Sequence, residues 1–338
     1  MNLLRHINRE KVLFDFVKHT EKKCAFDDEI ESLGGRIYIT PKFKGYNLFQ
    51  YLVWWRKHLK QHPEHQLIHG HFFTISPIYF CIAHSMQRVT IGHSHANTIK
   101  PWIKKYLSSL TEYFADYRLA CSEQAGKLLY PHKDFTVLRN AIDSELYRYN
   151  AEIAVEVRKE FDLGNSFILG TVGTIKEVKN PLGIVEILSE VSKIKPGTKL
   201  LWVGRDEGMQ ETAEARLKEL GLTDHVIFTG TRSDVHRLMQ AMDAFILPSF
   251  SEGIPVVMIE AQAAGLPCFA SDAVSKDTDI TGLCRYLPLN EWGAWAKEIT
   301  EYNEERKDTS QAIKSAGYDI HDTAAWLQEF YLNIMNSF

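Results

Sequence analysis

The chain has 338 residues, 45% hydrophobic and 24% charged, which excludes disorder, collagen and coiled coil and gives room for two folded domains of roughly 150 residues each. The formal charge of -4 conceals an asymmetry, because residues 1–150 carry a net +7 and the remainder -11, so the two halves face different partners. The five cysteines, Cys24, Cys81, Cys121, Cys268 and Cys284, form no C-x-x-C pair, which argues against a disulfide framework or a zinc ribbon and for a reducing, cytoplasmic setting.

In chain order, a short helical segment over 2–7 comes first, and Arg5, Arg9 and Glu10 break the apolar stretch that a signal peptide requires. Strand candidates follow at VLFDFV (12–17), RIYI (36–39), QLIHGH (66–71), RVTIGH (88–93), YRLACS (117–122) and FTVLRN (135–140), with helical stretches such as 46–62 between most of them. A parallel strand at 12–17 preceded by a helix implies an earlier strand from which that helix departs. No such strand is present in the sequence, and this half is expected to lack its opening strand. The longest apolar run, 72–83, is interrupted by Thr74, Ser76 and Pro77 and is shorter than the ~20 residues of a membrane helix. Eleven of the 14 histidines fall in the first half. The cluster His58, His62, His65, His69 and His71 contains no H-E-x-x-H helix, Pro63 ends the helix that carries His58 and His62, and no Cys or acidic partner stands at a zinc-like spacing, so a solvated polar face and no metal are expected.

From Asn165 onward, short apolar strands alternate with amphipathic segments: FILGTVG, 181–191, KLLWVG, 211–220, HVIFTG, 235–242, AFILPS, 255–264 and CFAS. This alternation predicts βαβ units and a parallel sheet. The fold class is therefore α/β, with two Rossmann-like doubly wound domains facing across a cleft: 1–145, 146–308, and a helical segment over 309–338, amphipathic from 323 to 335, packing back across the domains. Ligands bind at the carboxyl edges of such sheets.

The most informative segment is PSFSEGIPVVMIEAQAAGLP (248–267). Glu252 and Glu260 are eight residues apart, just over two helical turns, so both carboxylates can line one wall and accept hydrogen bonds from sugar hydroxyls. Gly253, Ile254 and Pro255 open the helix, with Pro255 expected at the first helical position. The free N–H groups of Val256 and Val257 then suit a phosphate. The bland alternative makes Glu252 a helix cap and Glu260 a surface acid, which accounts poorly for Glu260 among Val256, Val257, Ile259 and Ala261.

This segment resembles the E-x7-E element of retaining glycosyltransferases of family 4, which have the GT-B fold. So, in the family's order and spacing, do TVGTIKEVKNP (171–181), LLWVGRDEG (200–208), LGLTDHVIFTGTRSDV (220–235), NAID (140–143) and IGHSHA (91–96). The resemblance covers nearly the whole chain and is nearest to bacterial enzymes that build capsule and exopolysaccharide repeat units. It implies that Glu260 holds the ribose of a nucleotide sugar, and that Glu252 with the Gly253, Ile254, Pro255 and Val256 backbone meets donor sugar and diphosphate. It also implies that Lys179 neutralises the diphosphate leaving group, beside Gly173 and Thr174. Gly230, Thr231 and Arg232 would approach the base, and His93, with His95 in reserve, would lie near the donor sugar. Departure of a diphosphate does need fixed positive charge and N–H donors where negative charge develops.

Two features depart from the family pattern. An arginine usually follows the glycine of the first strand in the second domain, whereas this chain has Gly173 and Thr174, leaving Lys176 or Arg205 as replacements. The opening strand and its glycine-rich loop are also missing. The resemblance implies a metal-independent hexosyltransferase with no cofactor, a UDP- or GDP-linked sugar donor, a glycan or lipid-linked glycan acceptor and no nucleic-acid partner. A catalytically inactive GT-B scaffold that binds a nucleotide or a partner enzyme is the alternative, favoured by Thr174 and the missing opening loop and opposed by the intact Glu252, Glu260 and Lys179. A nucleotide-sugar epimerase of similar fold has no specific support. The basic first half, with Lys100, Lys104 and Lys105 around Trp102, Ile103 and Tyr106, leads to an expectation of peripheral contact with the inner face of an anionic membrane.

Overall fold

The computed structural model describes residues 1–71, 74–95 and 110–337. The chain divides into two compact units, Met1–Ala141 with Ile320–Phe338, and Ile142–Asp319. The boundary thus falls just before the expected one, and the segment 309–338 is divided. Helix Ser310–Ser315 belongs to the second unit, and helix Ile320–Asn336 belongs to the first.

The first unit holds two parallel sheets. Strands β1 (Phe16–Lys18) and β2 (Ile37–Ile39) form a pair. Strands β3 (Leu67–Gly70), β4 (Val89–Ser94), β5 (Tyr117–Ala120) and β6 (Thr136–Val137) form a four-stranded sheet in that order. Among the described residues no ladder joins β1 to β3, so the strands of this unit stand in two pieces. Strand β4 is buried along its whole length, as expected for a parallel strand covered on both faces. Gly70 and Gly92 are paired in register, and each faces a packed side chain. A Cβ at Gly70 would lie 2.3 Å from the Tyr79 hydroxyl, and one at Gly92 would lie 2.8 Å from the Tyr130 hydroxyl. The final helix packs Leu327, Tyr331 and Ile334 with Ile7, Val89, Ile91 and Leu119.

The second unit is a single six-stranded parallel sheet. Its strands are β7 (Ile168–Val172), β8 (Lys199–Val203), β9 (Val226–Gly230), β10 (Ala244–Leu247), β11 (Cys268–Ser271) and β12 (Cys284–Leu287). Their order is β12-β11-β10-β7-β8-β9. One face packs Leu201, Val203, Phe245 and Leu247 against Leu238, Met239 and Met258. The other packs Leu200, Trp202 and Phe269 against Ile184, Leu188 and Trp295. Among the described residues no helix is long and apolar enough to cross a membrane.

The pair β1–β2 is three residues long on each side and only partly buried, whereas β7 and β10 lie inside a six-stranded sheet. Short, one-sided ladders open at low free energy. Native-state hydrogen exchange is expected to release the amides of β1 and β2 well before those of β7 and β10. Equal protection in both would contradict this ranking.

Candidate functional site

In the second unit the chain passes from β7 outward to β8 and β9, then returns to β10 on the other side of β7. The point where strand order reverses leaves a crevice at the carboxyl ends of the two central strands, where the following loops diverge. Here those loops are 173–180 after β7 and 248–255 after β10. The glycines ending β7 and β8 draw their loops together. Gly173 N donates to the Val203 carbonyl at 2.9 Å, and a Cβ on Gly204 would lie 1.9 Å from the Gly173 carbonyl oxygen, so no other residue fits there.

Lys179 and Glu252 meet at this reversal point, with Nζ 2.5 Å from Oε1 and side chains 19% and 18% exposed. Neighbouring backbone fixes the pair. Residues Glu177–Lys179 form a single 3-10 turn that ends at Asn180, whose φ is +54°. From that left-handed position the Asn180 side chain accepts from Gly183 N at 3.0 Å, capping helix Pro181–Ile194, and donates Nδ2 to the Pro248 carbonyl at 3.1 Å. Phe250 N donates to the Val178 carbonyl at 2.9 Å. Two bonds therefore tie the lysine loop to the glutamate loop. A Cβ on Gly173 would meet the Lys179 stem in ordinary van der Waals contact, at 3.4 Å from Cε, so it is the φ of +155° that favours glycine there. Thr174 is half-buried in the same loop. The two replacement cations share one carboxylate, with Arg205 2.7 Å and Lys176 3.9 Å from Glu207.

The helix of the E-x7-E segment is Val256–Ala263, and Pro255 is its cap residue rather than its first helical residue. Pro255 has ψ of 117°, which is extended, and its carbonyl accepts from Met258 N. The correction is one residue. No side chain caps this end, and the Val256 and Val257 N–H groups have no partner inside the helix. Gly253 and Ile254 are half-buried in the loop before it. Glu260 lies one turn into the helix. Burial raises its carboxyl above the usual range, opposed by a hydrogen bond donated by the Tyr147 hydroxyl. Tyr147, in the short helix Ser144–Tyr147, went unnoticed in the sequence, as did Asn180. The Asn180-Pro181 dipeptide, a turn signal, could have revealed the latter.

Gly230 ends β9 at φ +66°, and Thr231 is exposed in the loop after it. Arg232 turns to carboxylates, with Nη2 2.7 Å from Asp234 and 3.3 Å from Glu160, and lies over the Phe161 ring.

In the first unit the histidines sort into two groups. His58, His62 and His65 surround Tyr38, and His65 Nε2 lies 2.7 Å from Asp15. His93 is buried at the end of β4 and joins His69, His71 and His95. Burial first, then the neighbouring imidazoles, holds His69 and His93 well below the ordinary histidine range. Burial likewise lowers His95, partly offset by Asn140. The segment around Trp102 lies outside the described residues.

Residues 155–318 match the family model described as glycosyl transferases group 1. The putative glycosyltransferase EpsF of Bacillus subtilis (strain 168) is 29% identical over 98% of this chain and 91% of its own length. A UDP-Gal:alpha-D-GlcNAc-diphosphoundecaprenol alpha-1,3-galactosyltransferase of Escherichia coli is 28% identical over 57% of this chain and 51% of its own. Among solved structures, Anabaena Alr3699/HepE in complex with UDP aligns with TM-score 0.77 at 18% identity, covering 94% of this chain and 99% of that one. The chain carries a glycosyl transferases group 1 domain and has the GT-B fold of two Rossmann-like domains.

Because burial favours the neutral rings, the unfolded chain takes up protons first as pH falls through the ordinary histidine value of 6.5, with His58 pushed down to about 4 by burial and by His65 and His62. Stability of the first unit is then complete above that value and is lost on acidification, by up to about 1.4 kcal/mol per pH unit for each such histidine. Urea unfolding followed from about pH 7 to about pH 5 should show a falling midpoint for the first unit. A midpoint that does not move over that range would contradict the assignment.

Proposed function

We propose that this glycosyltransferase moves a sugar from a UDP- or GDP-linked donor to a hydroxyl of a glycan or lipid-linked glycan, with retention at the anomeric carbon and no metal ion in the chemistry. The observation that carries the reading is the Lys179–Glu252 pair at the reversal point of the second sheet, beside an uncapped helix N-terminus. A diphosphate there takes over Lys179 as its charge partner and receives the Val256 and Val257 N–H groups, which supports negative charge as the bond to C1 breaks. The acceptor oxygen bonds to C1 and its proton passes to the leaving diphosphate. Glu252, released from Lys179, accepts from a donor-sugar hydroxyl. Glu260, positioned by Tyr147, accepts from the ribose. With Arg232 engaged by Asp234 and Glu160, base recognition falls to the Gly230–Thr231 backbone.

Two features support a lipid-linked acceptor for surface polysaccharide. The E. coli relative is named for a diphosphoundecaprenol substrate, and the first half of this chain is strongly basic, suited to an anionic membrane surface.

Lys179→Ala is expected to lower turnover by about a hundredfold or more and to weaken UDP and GDP binding as well, because it removes the charge partner of the diphosphate. Glu260→Ala should weaken nucleotide binding by on the order of ten- to a hundredfold, the loss of a hydrogen-bonded charged partner worth about 1.5–3 kcal/mol, with a smaller effect on turnover at saturating donor. Calorimetry with UDP and GDP and a donor-turnover assay check both. Unchanged affinity in Glu260→Ala would refute that assignment, and a wild-type chain that binds nucleotide without consuming any donor would establish the inactive-scaffold reading instead.

A further inference from the structure

Strand alternation places His69 and His71 at the end of β3 and His93 and His95 at the end of the neighbouring β4, on the face opposite that of Gly70 and Gly92. The rings crowd together, with centroids 4.6 Å apart for His69 and His71, 5.2 Å for His69 and His93 and 5.3 Å for His71 and His93. His69 Nε2 is 3.2 Å from His93 Nδ1. One ring nitrogen from each of His69, His71 and His93 lies within 4.8 Å of the others. Two imidazoles bound to one tetrahedral zinc ion at about 2.0–2.1 Å have their nitrogens about 3.3 Å apart, so His69 Nε2 and His93 Nδ1 already have the required separation, and a ring nitrogen of His71 lies within 4.8 Å of both.

We propose that His69, His71 and His93 form a binding site for one divalent transition-metal ion of the zinc, cobalt and nickel class. Three neutral imidazoles with no carboxylate among them favour those ions over magnesium or calcium. Outer contacts of the kind that orient metal-bound histidines are in place. His69 Nδ1 is 2.5 Å from the Tyr331 hydroxyl, and His71 Nδ1 is 2.9 Å from His95 Nε2. The ion would clasp the ends of β3 and β4 and, through Tyr331, fix the final helix of the first unit. His93 is also the residue that the family resemblance places near the donor sugar, so the test reads metal binding alone, and its failure is distinguishable from failure of the donor reading.

The test is titration of the full chain, freed of metal by dialysis against a chelator, with Co2+ alone and then Zn2+ alone, read by bound-metal stoichiometry and by the Co2+ absorption spectrum. One equivalent of Co2+ with the spectrum of a low-coordinate site, displaced by Zn2+, is expected. His71→Ala, at the exposed end of the cluster, should keep the fold and lower Co2+ affinity at least tenfold. His62→Ala, beside Glu64 in the other histidine group, should not change it. Less than one bound equivalent in the wild type, or loss of binding in His62→Ala and not in His71→Ala, would overturn the proposal.

Discussion

The second unit is organised around one partly buried ion pair, Lys179 with Glu252. Such a pair adds little to stability, because the desolvation of two charges offsets most of their attraction. What it provides is position. Asn180, held in the left-handed region by its cap to Gly183 and its bond to the Pro248 carbonyl, locks the loop after β7 to the loop after β10. The lysine is therefore placed before any ligand arrives. In the proposed reaction the emerging diphosphate needs only to replace Glu252 as the partner of a lysine already in position, since preorganised charge outperforms charge recruited from solvent. Sheet topology sets the location: only the two central strands, whose chain directions diverge outward, open a crevice at their carboxyl ends.

The two units face different physical demands. The second is a continuous six-stranded sheet packed on both faces, suited to holding charges in fixed positions. The first has its strands in two pieces, and its core mixes aromatic rings with buried imidazoles. Neutral histidines tolerate burial better than permanent charges do, and the buried His69 and His93 make that unit sensitive to acid.

The strands and helices of the second unit were legible because apolar runs of strand length alternate with helical periodicity between turn residues. Its edge strand β12 was not, since Arg285 interrupts the run C-R-Y-L and an edge strand need be apolar on one face only. The Glu252 and Glu260 segment was legible from acids set among apolar residues, yet the helix start was misplaced by one position because a proline serves as cap or first residue equally well. Tyr147 could not be linked to Glu260 from sequence, because their contact spans more than a hundred residues and depends on helix packing. The histidine cluster was missed for a related reason. Within the sequence His69 and His71 look like part of a polar tract with His58, His62 and His65, and only the register of β3 against β4 shows that they belong with His93 and His95.

The central claim, that the loops tied together by Asn180 form the nucleoside diphosphate site, is tested most directly by hydrogen exchange of the full chain with and without saturating UDP. The account predicts slowed exchange in 173–180, in 248–255 and at the first turn of the helix beginning at Val256. Slowed exchange confined to other parts of the chain, with these loops unchanged although UDP is bound, would contradict it.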